Sequence, residues 1–130
     1  MILEQVIEKA ANEQLDRLNS LDQGLIREKN LNLKSIQSHA LIITDVRRIG
    51  KSTLLMQIMR NLDQTFFLNF ETPLLYGFSI NDFDRLDRII KKKNAKWLFF
   101  DEIQTVIAWE LYIRKKLDEG FHIIISGSNA

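Results

Sequence analysis

Three observations in this 130-residue sequence predict an α/β fold, a parallel sheet covered by helices on both faces. Four short runs, "ALIIT", "TFFLNF", "KWLFFDE" and "FHIIISGS", each hold three or four consecutive apolar residues, the mark of strands buried on both sides. The segments between them carry apolar residues every three to four positions, the helical period. A hydrophobic share of 45% beside 27% charged residues is that of a globular chain, and the length suits one core.

Taken in order, Leu3, Ile7, Ala11, Leu15 and Leu18 predict an amphipathic N-terminal helix that ends between Ser20 and Gly24 and packs on the domain. Residues 25–39 are mixed in pattern and compatible with a second short helix. Ala40 to Thr44 is the first strand. Leu54, Leu55, Ile58, Met59 and Leu62 then predict a helix that begins within "RRIGKST" and runs to about Asn61. The second strand is Thr65 to Phe70, and Pro73 and Gly77 mark the loop after it. Ile80, Phe83, Leu86, Ile89 and Ile90 define a helix ending in Lys91-Lys92-Lys93, where cations suit the negative end of the helix dipole. Lys96 to Glu102 is the third strand. A stripe of Trp109, Tyr112, Ile113 and Leu117 gives a helix closed by Gly120, and the fourth strand is Phe121 to Ser128.

Composition narrows the function classes. The net charge is +1 with both signs scattered evenly, so no bulk electrostatic footprint for nucleic acid exists. Cysteine is absent, and His39 and His122 are too few for a zinc cluster. No apolar run approaches the ~18 residues that span a bilayer, and the N-terminus has no signal-peptide pattern. The expectation is a soluble, cytoplasmic protein without a membrane partner.

Two motifs carry chemistry. "TDVRRIGKST" ends as a phosphate-binding loop of pattern G-x-x-x-x-G-K-[ST] does, with Asp45 at the first glycine position. In such a loop backbone N–H groups surround the phosphates, the lysine neutralises the terminal ones and the next hydroxyl meets Mg²⁺. These roles fall to Gly50, Lys51 and Ser52. Arg48, Ile49 and Thr53 complete the candidate nucleotide-binding stretch. An apolar strand before the motif and an amphipathic helix after it supply the context this chemistry needs, because a helix N-terminus favours anions. The second motif is "WLFFDE", which puts Asp101 and Glu102 at the carboxyl end of a strand, where open parallel sheets bind ligands. Asp101 is the candidate Mg²⁺ residue and Glu102 the candidate base that activates water. Paired acids after a strand also serve as ordinary helix N-terminal residues. At the end of the fourth strand, Ser126, Ser128 and Asn129 are candidate sensors of a terminal phosphate, or a simple polar turn.

In this order, "TDVRRIGKSTLL", "NFETPLLYGFSINDF", "WLFFDEIQ", "WELYIRKKLDEGF" and "IIISGSNA" resemble the ATPase core of an AAA+-like P-loop family of bacteria and archaea, over about Leu25 to Ala130. The resemblance implies a three-layer P-loop NTPase-type sheet with Walker A and Walker B motifs, ATP and Mg²⁺ as cofactors, and a separate C-terminal domain after the core. By match it assigns Gly50, Lys51, Ser52, Asp101 and Glu102, and it includes Gln104 without a role. Family members carry glycine at position 45, a small residue at 49, and an acid and an arginine where this chain has Thr72 and Leu74. An Asp45 carboxylate turned into the loop about 5 Å from a phosphate charge meets about 3 kcal/mol of repulsion at an effective dielectric near 20. Arg47 and Arg48 are candidates to offset part of that charge, or two solvated loop residues.

Related ATPases with this layout place the loop strand between strand four and a fifth strand. This sequence stops before a fifth strand, so the expectation is a truncated core of about four strands over 25–130, preceded by a helical segment over 1–24. The Ala40 to Thr44 strand would form an open apolar edge, with the N-terminal helix a candidate cover. Two function classes follow. The first is an ATP-binding core with Mg²⁺-dependent binding and weak or absent hydrolysis. The second is a degenerate, non-catalytic module that binds nucleotide weakly or not at all and assembles with itself or a missing domain. A phosphotransferase is a third, weaker reading, since adjacent Asp-Glu suits water activation. Any nucleic acid or protein client stays open.

Overall fold

In this computed structural model the described residues are 1–20, 40–44 and 48–127, with the backbone alone for 44 and 48–51. The expected short helix within 25–39 lies outside them, as do Asp45, Arg47, Ser128 and Asn129.

Helix α1 (Glu4–Asn19) is followed by β1 (Leu41–Thr44), α2 (Arg48–Arg60), β2 (Thr65–Asn69), α3 (Phe83–Lys92), β3 (Trp97–Asp101), α4 (Trp109–Asp118) and β4 (His122–Gly127). Short 3-10 turns occupy Pro73–Leu75, Ile80–Asp82 and Ile103–Thr105. The expected α3 thus begins later than its apolar pattern. Ile80 stands in the turn before it and is exposed, because a capping box between Ser79 and Asp82 starts the chain's winding there.

All four strands are parallel, in the order β1-β4-β3-β2. The α/β class, the four-stranded sheet and the N-terminal helix are as the sequence predicts. Alternation along each strand divides the core in two. Phe66, Leu68, Leu98, Phe100, Ile123 and Ile125 face the layer of α3 and α4, whereas Phe67, Phe99 and Ile124 meet Leu55, Ile58 and Met59 of α2. On the first side Phe83 stacks on Tyr112, with ring centres 3.8 Å apart. There Lys116, only 4% exposed, is paired with Asp87 at 2.8 Å and Glu119 at 2.9 Å.

Helix α1 departs from expectation in two ways. Its buried face is Ile7, Ala10, Ala11, Gln14 and Leu18, whereas Leu3 and Leu15 are exposed. At about 100° per residue a four-residue spacing drifts by about 40° each step, which turns Leu15 off the face that holds Ile7. The helix also does not cover β1. It crosses the opposite edge of the sheet, at β2: Ile7, Ala10 and Ala11 join one core, and Leu18 joins the other. Between them Gln14 binds the edge strand as a neighbouring strand would. Its Oε1 accepts from Asn69 N at 2.7 Å, and its Nε2 donates to Asn69 O at 3.0 Å. The edge β1 leaves Ile42 59% exposed.

Further contacts fasten α1 and the residues just before it. Asp82, almost wholly buried, accepts from Ile2 N at 3.0 Å and from the Arg85 guanidinium, while Arg85 Nε donates to Ile2 O at 2.6 Å. Burial works to raise the Asp82 pKa, but the hydrogen bonds from Ile2, Ser79 and Arg85, with the charge of Arg85, hold it below the ordinary 3.8. The lysine run at the end of α3 does more than complement the dipole. Lys92 pairs with Glu8 at 3.1 Å and Lys93 donates to Asn12 at 2.7 Å, both on α1.

Candidate functional site

The strand register brings three polar residues level across the sheet. Asn69 on β2 is the partner of Asp101 on β3, which is the partner of Ser126 on β4. By the alternation of each strand all three side chains belong to the face that meets α2, at the carboxyl ends of the strands. Asp101 is 6% exposed and held from both sides. Ser126 Oγ donates to Oδ1 at 2.9 Å, and Asn69 Nδ2 donates to Oδ2 at 3.3 Å. Asn69 is held in turn: its Oδ1 accepts from Glu71 N at 2.8 Å, and Gln14 takes its backbone N and O.

Glu102 follows directly, 6% exposed, with its N donating to Ser126 O at 2.8 Å. Its backbone is left-handed, at φ 58° and ψ 32°. For a residue with a Cβ that conformation costs on the order of 1 kcal/mol, and such costs gather where a side chain must be aimed. The bend takes the chain off β3 into the turn Ile103–Thr105, where Gln104 Nε2 donates to Glu102 Oε2 at 2.6 Å.

A cleft of about 380 Å³ opens over this row. Ser52, Asn69, Asp101 and Glu102 line it together, with Gln14 and Arg17 of α1 on one wall and Thr72 and Leu74 on another. The sequence pointed to Ser52, Asp101 and Glu102 as one site, and the fold gathers them around one space. Helix α2 begins at Arg48, so Arg48, Ile49, Gly50, Lys51, Ser52 and Thr53 form its first turn and a half. Orphan N–H groups and partial positive charge at such a terminus face an anion favourably. Ser52 and Thr53 are half-buried. Ser126 stands against Asp101, and the other two candidate sensors, Ser128 and Asn129, lie outside the described residues.

Sequence reasoning did not find Asn69, Gln14 or a task for Gln104. For Asn69 a signal existed, since a polar residue closes the apolar strand "TFFLN" at the level where Asp101 closes "WLFFD". Gln14 gave none, because an amide inside a helical apolar stripe reads as a misfit until an edge strand is beside it. Asp101 and the Ser52 hydroxyl fit Mg²⁺, a hard cation that takes oxygen ligands and commonly uses one or two carboxylates beside phosphate oxygens. No helix among the described residues is long and apolar enough to cross a membrane.

Residues 37–130 match the family described as the AAA domain. An uncharacterized protein of Methanocaldococcus jannaschii is 34% identical over 119 residues, which cover 89% of this chain and 27% of that protein. Another, from Haemophilus influenzae, is 32% identical over 100 residues, 68% of this chain and 25% of its own length. The chain therefore spans about a quarter of the length of these curated relatives. No solved structure matches.

Proposed function

Because the chain belongs to the AAA domain family, we propose that it is the ATP-binding core of an AAA+-like ATPase, with Mg²⁺-dependent binding and slow hydrolysis of its own. The observation that carries this reading is the meeting of Ser52, Asp101 and Glu102 around one cleft at the carboxyl ends of the strands. Backbone N–H groups at the start of α2 receive phosphate oxygens, and Lys51 supplies the matching positive charge. Ser52 and Asp101 would hold Mg²⁺, with Asn69 and Ser126 each bonded to one carboxylate oxygen of Asp101. There Mg²⁺ would supply positive charge against the terminal phosphates. Glu102 takes a proton from the attacking water, whose oxygen bonds the terminal phosphorus as the bridging P–O bond breaks. The products are ADP and phosphate.

Thermal unfolding with and without Mg-ATP tests the binding half, beside Lys51→Ala and Asp45→Gly. A ligand that binds only the folded chain adds about 2.7 kcal/mol at a hundredfold excess over its Kd. A rise in the midpoint of the parent, lost in Lys51→Ala, is expected. Glu102→Gln tests the chemical half: it should abolish hydrolysis and spare binding, and hydrolysis retained in that variant would exclude Glu102 as the base.

A second reading is a non-catalytic interaction module, favoured by Asp45 in the phosphate loop and by β1 at the sheet edge with Ile42 exposed. It predicts no nucleotide shift in the parent, together with concentration-dependent association in sedimentation.

A further inference from the structure

Gln104 has no part in the reading above, yet its place is closely defined. Glu102 precedes the 3-10 turn Ile103–Thr105, with a left-handed backbone at the junction, and the turn carries Gln104. The Gln104 amide donates to Glu102 Oε2 at 2.6 Å. The amide also lies against the end of β4. A Cβ placed on Gly127 would come within 3.0 Å of both Nε2 and Oε1 of Gln104 and within 3.3 Å of its Cδ. Gly127 is not among the residues with positive φ, so its backbone would accept alanine. What glycine provides there is room for the Gln104 amide.

Gln104 is itself an exposed residue, so filling the core does not explain its position. Its contacts run to the base on one side and to the strand that carries Ser126 on the other. A glutamate side chain has three rotatable bonds, and a base that turns away from the water by about 1 Å loses on the order of a hundredfold in rate. A donor packed against the end of β4 at Gly127 restricts that freedom.

We propose that Gln104, seated on Gly127, is a positioning residue that holds the Glu102 carboxylate in its working orientation at the cleft. The proposal rests on the reading of Glu102 as the base. It gives a task to the last residue of Asp-Glu-Ile-Gln and a reason for glycine at position 127.

The test is single-turnover hydrolysis of Mg-ATP by excess protein, with nucleotide affinity measured alongside, in the parent, Glu102→Gln, Gln104→Met, Gly127→Ala and the Gln104→Met/Gly127→Ala double variant. Gln104→Met keeps the side-chain length and removes the donor. We expect affinity unchanged within about twofold and the rate lowered on the order of tenfold to a hundredfold in both single variants. The double variant should be no slower than Gln104→Met alone, because both changes break the same contact. Loss of hydrolysis in Glu102→Gln with a parental rate in Gln104→Met would overturn the positioning role and leave the base standing. No hydrolysis in the parent, or hydrolysis retained in Glu102→Gln, would overturn both. The NMR resonance of the Gln104 side-chain amide, assigned by its loss in Gln104→Met, gives a readout free of turnover. It should move in Glu102→Gln and in Gly127→Ala, and a resonance indifferent to both would also overturn the proposal.

Discussion

Gln14 permits a prediction in which the larger, more apolar replacement is the worse one. Its amide binds both backbone groups of Asn69 at the edge of β2, and it is 9% exposed. It also lines the cleft beside Asn69, so a shorter side chain opens that edge to water. Gln14→Ala therefore loses two hydrogen bonds, but water takes the freed N–H and C=O, and the loss is about 1–2 kcal/mol. Gln14→Leu fills the space with hydrocarbon and keeps water out. Both backbone groups then stay buried without partners, and the loss is about 2–4 kcal/mol despite the added apolar surface. Helix propensity separates the two residues by only a few tenths of a kcal/mol, too little to reverse the order. For a chain of 130 residues about 1 kcal/mol moves the midpoint by about 4 °C. Calorimetry should then place Gln14→Ala about 4–8 °C below the parent and Gln14→Leu about 8–15 °C below. A Gln14→Leu midpoint equal to or above that of Gln14→Ala would refute the pairing of α1 with the strand edge.

The Asp82 carboxyl is held below its ordinary 3.8 in the folded chain, so its contribution is complete above that value and disappears as pH falls through the lower folded pKa. Urea midpoints followed from pH 7 to pH 2 should fall more steeply below about pH 4 in the parent than in Asp82→Asn. At the α3–α4 contact, Asp87→Ala leaves the buried Lys116 with Glu119 but without its second acid and deprives the Tyr112 hydroxyl of its acceptor, at about 2 kcal/mol or more, whereas Lys116→Met should cost less because it removes the buried cation and leaves Tyr112 bonded to Asp87. Urea denaturation of the two variants checks that order. Ser126→Ala removes a donor to Asp101, and the Mg²⁺ concentration for half-maximal nucleotide binding should rise about tenfold or more, as measured by titration.

Most of the layers were legible because strand and helix periods are local. A run such as "KWLFFDE" announces both a buried strand and the acids that close it, and the strand after strand puts those acids at a ligand-binding end. The N-terminal stripe was legible as a helix but not in its rotation. A spacing of four fits the helical period loosely enough to admit Leu15 and omit Gln14, and only contact with a sheet edge decides between them.

By itself the sequence determined the α/β class, the approximate extents of the elements, and the candidate roles of Lys51, Ser52, Asp101 and Glu102, since each depends on neighbours a few positions away. The tertiary structure alone decided which edge α1 crosses, that Asn69 and Ser126 grip Asp101 from two strands, and that Gln104 reaches Glu102 from a seat on Gly127. Those contacts join residues as much as 55 positions apart, through the register of parallel strands and the crossing of a helix. Hydrogen bonds are set by distances of about 3 Å, and the periodicity of one segment holds no information about its distance from another.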